Sequence, residues 1–198
     1  MIRRSDVEGF LLAGGTSRRM GTPKAALLVG DQPIAARVAR VLTLCVGRLT
    51  VVTNRPSEVA FLGLPTIPDI YPNRGPLGGL HAALAASQTP TIFLAAIDLP
   101  FLTDTLVMEL LQRHGSFPVT VPKTAEGLHP LCALYDRSLQ PVVEKRLMVG
   151  RLSMRALVEH VGAEVLDLSR NRSPIDQTAL MNINTPEELT AARNLLVR

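Results

Sequence analysis

Along this chain, short apolar runs with almost no charge alternate with longer stretches whose apolar residues recur every three or four positions. Residues 10–13, 49–53 and 64–67 have the length and composition of strands, and residues 91–96, the most apolar run, predict a central one. Ile34, Val38, Val41 and Leu42 fall at helical spacing, residues 78–86 form an alanine-rich helix, and Thr103 caps a helix running through Leu111. The second half is less regular: residues 119–121 and 130–135 predict strands, residues 153–161 a helix, and residues 163–168 a further apolar run. Near the carboxyl end Thr185, Pro186 and Glu188 stand where the cap, first residue and third residue of a helix belong, which is a capping box. Strands alternating with helices predict an α/β fold, a mostly parallel sheet with helices on both faces. No flexible linker, repeat or low-complexity tract divides the chain, so residues 1–198 are expected to form a single domain.

Composition removes several function classes. The 198 residues carry a net charge of +4, only 4% are aromatic, and Trp is absent, which leaves little with which to stack on nucleic acid. Cys45 and Cys132 lie far apart within apolar stretches and read as small buried hydrophobes in a reducing cytoplasm. Asp6 and Glu8 interrupt any signal-peptide apolar region after the basic start, and the apolar run at residues 89–96 is too short to cross a bilayer. A cytoplasmic protein that binds neither nucleic acid nor membrane is the expectation.

The chemistry is concentrated at the ends of predicted strands. Leu12-Ala13-Gly14-Gly15-Thr16-Ser17-Arg18-Arg19-Met20-Gly21-Thr22-Pro23-Lys24 is a glycine-rich, basic turn directly after the first strand. Gly14 and Gly15 let the backbone approach an anion closely, while Arg18, Arg19 and Lys24 add positive charge, so the turn reads as a phosphate cradle for a nucleoside triphosphate. Its spacing fits neither a Walker loop nor a dinucleotide fingerprint. Asp98 leaves the end of the most apolar strand, where an uncompensated charge is costly and coordination of Mg²⁺ relieves that cost. Asp69, followed by Gly75-Pro76-Leu77-Gly78-Gly79, places a second glycine turn at the start of a helix, whose N-terminus also accepts phosphate. His81 is expected to be packed, and His114 and His160 to lie at the surface or at helix ends. No histidine pair has metal-ligand spacing, and Ser17, Cys45 and Cys132 lack the surroundings of a covalent nucleophile. A site of phosphate donors, one carboxylate for a metal and backbone amides suits nucleotidyl transfer.

With Asp98-Leu99-Pro100-Phe101, His129-Pro130-Leu131-Cys132-Ala133-Leu134-Tyr135 and Asn182-Ile183-Asn184-Thr185-Pro186-Glu187-Glu188, the two glycine turns form an ordered motif set spread over nearly the whole chain. This set resembles that of the molybdenum cofactor guanylyltransferases; the first motif alone is shared with many sugar and alditol nucleotidyltransferases. The resemblance implies a three-layer α/β/α Rossmann-like fold of the nucleotide-diphospho-sugar transferase type, and an Mg²⁺-dependent transfer of GMP from GTP to the terminal phosphate of molybdopterin. It places Leu12, Ala13 and Gly14 on the nucleotide, Lys24 on its phosphates, Asp69 on the nucleoside, Asp98 on the metal, and Asn182 and Asn184 near the reacting groups, while Gly15 and Arg19 join the nucleotide and catalytic sets as residues of the phosphate cradle. It also implies GTP, molybdopterin or molybdenum cofactor, and a molybdenum-insertion protein as partners. Some members carry an acidic residue before the loop lysine and an asparagine at the end of the second strand; Pro23 and Val52 stand there instead, and Asn54 is the residue that reaches guanine in their place. Cytidylyl transfer to the same pterin would keep every phosphate contact. A sugar-phosphate nucleotidyltransferase and a non-catalytic nucleotide-binding module are the remaining alternatives. Lys145, Arg146, Arg151, Arg155, Arg170 and Arg172 make the second half basic without singling out a pterin site.

Overall fold

The computed structural model describes residues 4–14, 23–169 and 178–195. Strand β1 (Val7–Leu12) is followed by a small hairpin, β2 (Leu28–Val29) and β3 (Gln32–Pro33), then α1 (Ile34–Cys45), β4 (Leu49–Val52) and β5 (Thr66–Ile67). Next come α2 (Gly75–Ala86), β6 (Thr91–Ala96), α3 (Asp104–Arg113), β7 (Val119–Thr124), β8 (Gly127–Leu128) and β9 (Cys132–Asp136). The chain continues through α4 (Gln140–Met148), α5 (Met154–Val161) and β10 (Glu164–Asp167) to α6 (Pro186–Leu195).

The main sheet runs β10-β7-β9-β6-β1-β4-β5, with β8 paired to β7, so the most apolar strand is indeed central. Pairings β1–β4, β1–β6, β4–β5 and β7–β10 are parallel, whereas β9 is antiparallel to both β6 and β7. The sheet is therefore mixed. Residues 125–131, which join β7 to β9, are too few for the dozen or so that a parallel crossover needs, and β9 must reverse direction. That reversal brings Leu131, at the start of β9, to the edge where β1 and β6 end.

Alternating strand residues feed two cores. Val7 and Leu11, Val51, Phe93 and Ala95, with Cys132 and Leu134, pack under α1 and α3; Phe10 and Leu12, Ile92 and Leu94, with Ala133 and Tyr135, pack under α2, α4 and α5. This is a three-layer α/β/α arrangement. A third, smaller core joins Leu27, Val29 and Ile34 to Ile183, Leu189 and Ala192, so α6 is seated on the β2–β3 hairpin at the side of the sandwich.

The caps predicted at Thr103 and Thr185 are formed, and Ser153 provides another. Thr103 Oγ1 accepts from the Leu106 amide at 3.3 Å, and Ser153 Oγ accepts from the Ala156 amide at 3.2 Å. At α6 the capping box closes in both directions, the Glu188 amide donating to Thr185 Oγ1 at 3.1 Å and the Thr185 amide to Glu188 Oε2 at 3.0 Å. Boundaries differ modestly from the sequence reading: β1 begins earlier, at Val7, β9 later, at Cys132, and α2 already at Gly75. Helix α4, the hairpin and the short 3₁₀ helices at residues 24–26, 56–62 and 137–139 carry no strong periodicity in the sequence. Among the described residues no helix is long and apolar enough to cross a membrane.

Candidate active site

Strands β1, β4, β5 and β6 all run in one direction, and a cavity of about 720 Å³ opens where they end. That volume is within the range that holds cofactor-sized ligands. Its walls include Leu12, Ala13 and Gly14 from the end of β1, Asn54 after β4, Asp69 after β5, Gly75 and Gly79 from α2, and Asp98 after β6. Lys24 and Asn184 complete it, arriving from the two ends of the chain.

Lys24, Asp98 and Asn184 form one cluster. The Lys24 ammonium donates to Asp98 Oδ2 and to Asn184 Oδ1, each at 2.8 Å. The ion pair is largely shielded, with side-chain exposures of 18% for Lys24 and 17% for Asp98. Asp98 Oδ1 is buried and has no hydrogen-bond partner among the described residues. The backbones beneath these groups are pinned: the Ile183 amide donates to the Asp98 carbonyl at 3.1 Å, and the Leu27 amide to the Lys24 carbonyl at 3.2 Å. The charge that the sequence leaves unpaired at the end of β6 is thus matched by Lys24. No group of three or more His, Cys, Asp or Glu residues is placed to hold a metal among the described residues. A divalent cation here would rest on the unpartnered carboxylate oxygen of Asp98 and on oxygens brought by phosphate and water, which is the usual manner of Mg²⁺.

Across β1 from Asp98, Asn54 and Asp69 bind one another. Asn54 Nδ2 donates to Asp69 Oδ2 at 3.0 Å, and the Asp69 amide donates to Asn54 Oδ1 at 3.0 Å. Burial pushes the Asp69 carboxyl above its ordinary range, and the Asn54 hydrogen bond opposes that shift. Thr53 Oγ1 donates to the Ala13 carbonyl at 3.2 Å and accepts from the Arg55 amide at 3.1 Å, tying the end of β4 to the glycine turn. Arg55 and Glu58, paired at 3.3 Å, line the same cavity, as does Asn73, whose φ is +62°. These three were not anticipated. Of these, only Arg55 has a legible signal, in its position directly after Asn54. Glycine at position 75, with φ +60°, opens α2 into the cavity, and Pro76 fills an early helix position where no amide is missed. At Gly79 a Cβ would come within 2.8 Å of Leu12 Cδ2 and 3.7 Å of Asp69 Oδ1, so the absence of a side chain holds this wall open.

Other expected residues are placed differently. Asn182 is exposed and does not line the cavity, whereas Asn184, two residues on, does. Gly15 and Arg19 lie outside the described residues, as do Arg18, Arg170 and Arg172. Lys145, Arg151 and Arg155 are exposed, and none lines the cavity. His81 is buried, as expected, with its ring edge-on to Tyr71 at 4.9 Å. His114 does end α3, but it is half-buried and not a free surface residue. It bonds Asp136 Oδ1 at 3.0 Å and Thr120 Oγ1 at 2.9 Å. Both thiols are free and buried, and burial pushes Cys45 up to about 11 and Cys132 up to about 12, so neither supplies a thiolate at neutral pH. A second depression, about 620 Å³, is lined by Gln88, Pro90, Asp136 and Arg137 at the opposite edge of the sheet, where the parallel strands begin.

Comparison with known proteins accords with this geometry. Residues 9–165 match the family model described as MobA-like NTP transferase domain. A probable molybdenum cofactor guanylyltransferase of Pelotomaculum thermopropionicum is 32% identical over 93% of this chain and 91% of its own length. A molybdenum cofactor guanylyltransferase of Cereibacter sphaeroides is 34% identical over 95% of this chain and 96% of its own. Among solved structures, the molybdopterin-guanine dinucleotide biosynthesis protein A of Archaeoglobus fulgidus superposes with a TM-score of 0.81 over 96% of this chain and 99% of its own, at 22% identity.

Proposed function

Because the chain belongs to the MobA-like NTP transferase domain family, we propose that it transfers GMP from GTP to the terminal phosphate of molybdopterin, with release of pyrophosphate. The observation that carries this reading is the strand order. Asp98 after β6 and the Asn54–Asp69 pair beyond β4 flank the end of β1, two strand spacings or roughly 10 Å apart. A nucleotide whose base lies at Asn54 and Asp69 passes over the glycine turn and delivers its phosphates to Lys24 and Asp98.

In the reaction an oxygen of the pterin phosphate bonds to the α-phosphorus of GTP as the bond to pyrophosphate breaks. No proton has to be abstracted from the attacking phosphate at neutral pH, so the residues orient groups and balance charge. Gly14 offers backbone approach to the triphosphate, the N-terminus of α2 adds its amides, and Lys24 neutralises charge growing on the leaving pyrophosphate. The Asp69–Asn54 pair accepts and donates toward the nucleoside. Asp98, with its unpartnered oxygen, is the residue that would hold Mg²⁺, which supplies charge neutralisation between phosphate oxygens when bound. Water exclusion falls to the apolar walls, Leu12, Val52, Ala96, Ile97 and Leu131.

The deciding experiment offers GTP, CTP, ATP and UTP separately with molybdopterin and Mg²⁺, following pyrophosphate and the mass of the product. GTP-dependent formation of the guanine dinucleotide is expected. A preference for CTP would instead assign cytidylyl transfer, and pyrophosphate release with a sugar phosphate but not with molybdopterin would reject the pterin acceptor.

A further inference from the structure

We propose that Lys24 is the resident cation of the Asp98 site, and that it gives up this place to a divalent cation only when nucleotide phosphates offer the ammonium another position. The inference rests on the nucleotidyl-transfer reading and adds an order of assembly to it. The metal enters with the nucleotide and not before it.

Three features lead there. First, Lys24 Nζ is 2.8 Å from Asp98 Oδ2 and 2.8 Å from Asn184 Oδ1, so two of its three donors are committed to oxygens of these two cavity-lining residues. Second, Asp98 Oδ1 is buried without a partner among the described residues, which marks the carboxylate as only half satisfied by the lysine. Third, Asp98 belongs to no group of three or more acids, histidines or cysteines placed to hold a metal among the described residues, and the ammonium is the cation it is paired with. One carboxylate balances one ammonium. A dication arriving at the same carboxylate meets the like charge of the ammonium already seated 2.8 Å from it.

The arrangement also shows what moves. Asp98 and Asn184 are held by backbone, the first through the Ile183 amide and the second by the turn that precedes α6. The Lys24 backbone is fixed in its one-turn helix, with the next residue, Ala25, buried. Only the four-carbon side chain is free to relocate, and a lysine ammonium is a mobile point charge suited to that exchange. Triphosphate oxygens at the glycine turn provide its destination, and they bring the negative charge that a dication needs. Metal-free nucleotide and nucleotide-free metal are both poor ligands under this scheme, and their complex is the good one.

The test titrates Mn²⁺ into nucleotide-free protein, reading free Mn²⁺ by electron paramagnetic resonance, for the unmodified chain, Lys24→Met, and Lys24→Met with Asp98→Asn. Removing the ammonium should tighten Mn²⁺ binding by tenfold or more, and the second substitution should abolish the gain. Equal or weaker binding by a folded Lys24→Met protein would overturn the exchange. A second measurement needs no substitution. Acylation of Lys24 by an amine-reactive ester, quantified by peptide mass spectrometry, should be unchanged within about twofold by millimolar Mn²⁺ alone, and a marked acceleration would overturn the proposal, since the ammonium would then leave Asp98 without nucleotide. Neither assay contains GTP or molybdopterin, so their failure is separable from failure of GMP transfer.

Discussion

At the scale of single residues, the site divides into a charge-balancing cluster and a base-facing pair, and each makes its own prediction. Lys24→Ala should lower GMP transfer by on the order of 10²-fold, as removal of one preorganised donor to developing charge does. Since Lys24 contributes no apolar surface to a core, the variant should remain folded by circular dichroism. Pyrophosphate release within a few-fold of the unmodified rate would remove Lys24 from the reaction. Asn54 acts on selection instead. Its side-chain amide donates to the half-buried Asp69 carboxylate and accepts from the Asp69 backbone amide, and leaving that carboxylate without its donor is a loss worth about 1–3 kcal/mol. Asn54→Ala should therefore reduce the ratio of kcat/KM for GTP over CTP by about tenfold, with a smaller effect on kcat at saturating GTP. An unchanged ratio would place base reading on other cavity residues, with Arg55 and Glu58 the next to test.

The element scale shows why two adjacent glycines of α2 have different duties. A Cβ at Gly78 would meet the Tyr71 backbone carbonyl at 2.8 Å, an atom that cannot step aside without moving the loop that carries Asp69. A Cβ at Gly79 would meet the tip of the Leu12 side chain at 2.8 Å, which can rotate away into the cavity. Gly78→Ala should cost about 1–2 kcal/mol in thermal unfolding, the overpacking penalty exceeding the gain of about 1 kcal/mol in helix propensity. Gly79→Ala should melt closer to the unmodified protein and weaken GTP binding several-fold. The opposite ranking in calorimetry would contradict the packing described for this turn. The same elements show what a sequence makes legible. β6, α3 and the α6 capping box were readable because each is a local signal, a run or a spaced set of caps. Helix α4 was not, since only Val143 and Leu147 of its nine residues are buried, too few to impose a period. The reversal of β9 was in principle readable from the short 125–131 connection, but strand direction is a property of pairs and not of a run. Within the site, Asp98, Asp69 and Lys24 stood out by motif. The Lys24–Asn184 contact did not, because it joins residues 160 positions apart through the docking of α6 on the hairpin.

At the scale of the whole molecule, the same burial that builds the two cores sets how stability depends on pH. His81, 3% exposed on α2, and His129, half-buried beside Thr124, both have their imidazoles shifted below the ordinary value, chiefly by desolvation. Glu144 works against this at His81, but burial is the larger effect. The unfolded chain takes up these protons near the usual 6.5, while the folded chain takes them up only at lower pH. Their contribution is therefore fully present above about 6.5 and is lost as pH falls from there toward the depressed folded values. The thermal midpoint should decline between pH 7.5 and pH 5 for this reason. Neither ring nitrogen of His81 has a hydrogen-bond partner among the described residues, so His81→Leu removes the titration without stripping a polar contact. That variant should show a flatter decline over the same interval, with most of the difference appearing below pH 6.5. Parallel pH profiles for the two proteins would assign the acid sensitivity elsewhere, with His129 the next group to substitute.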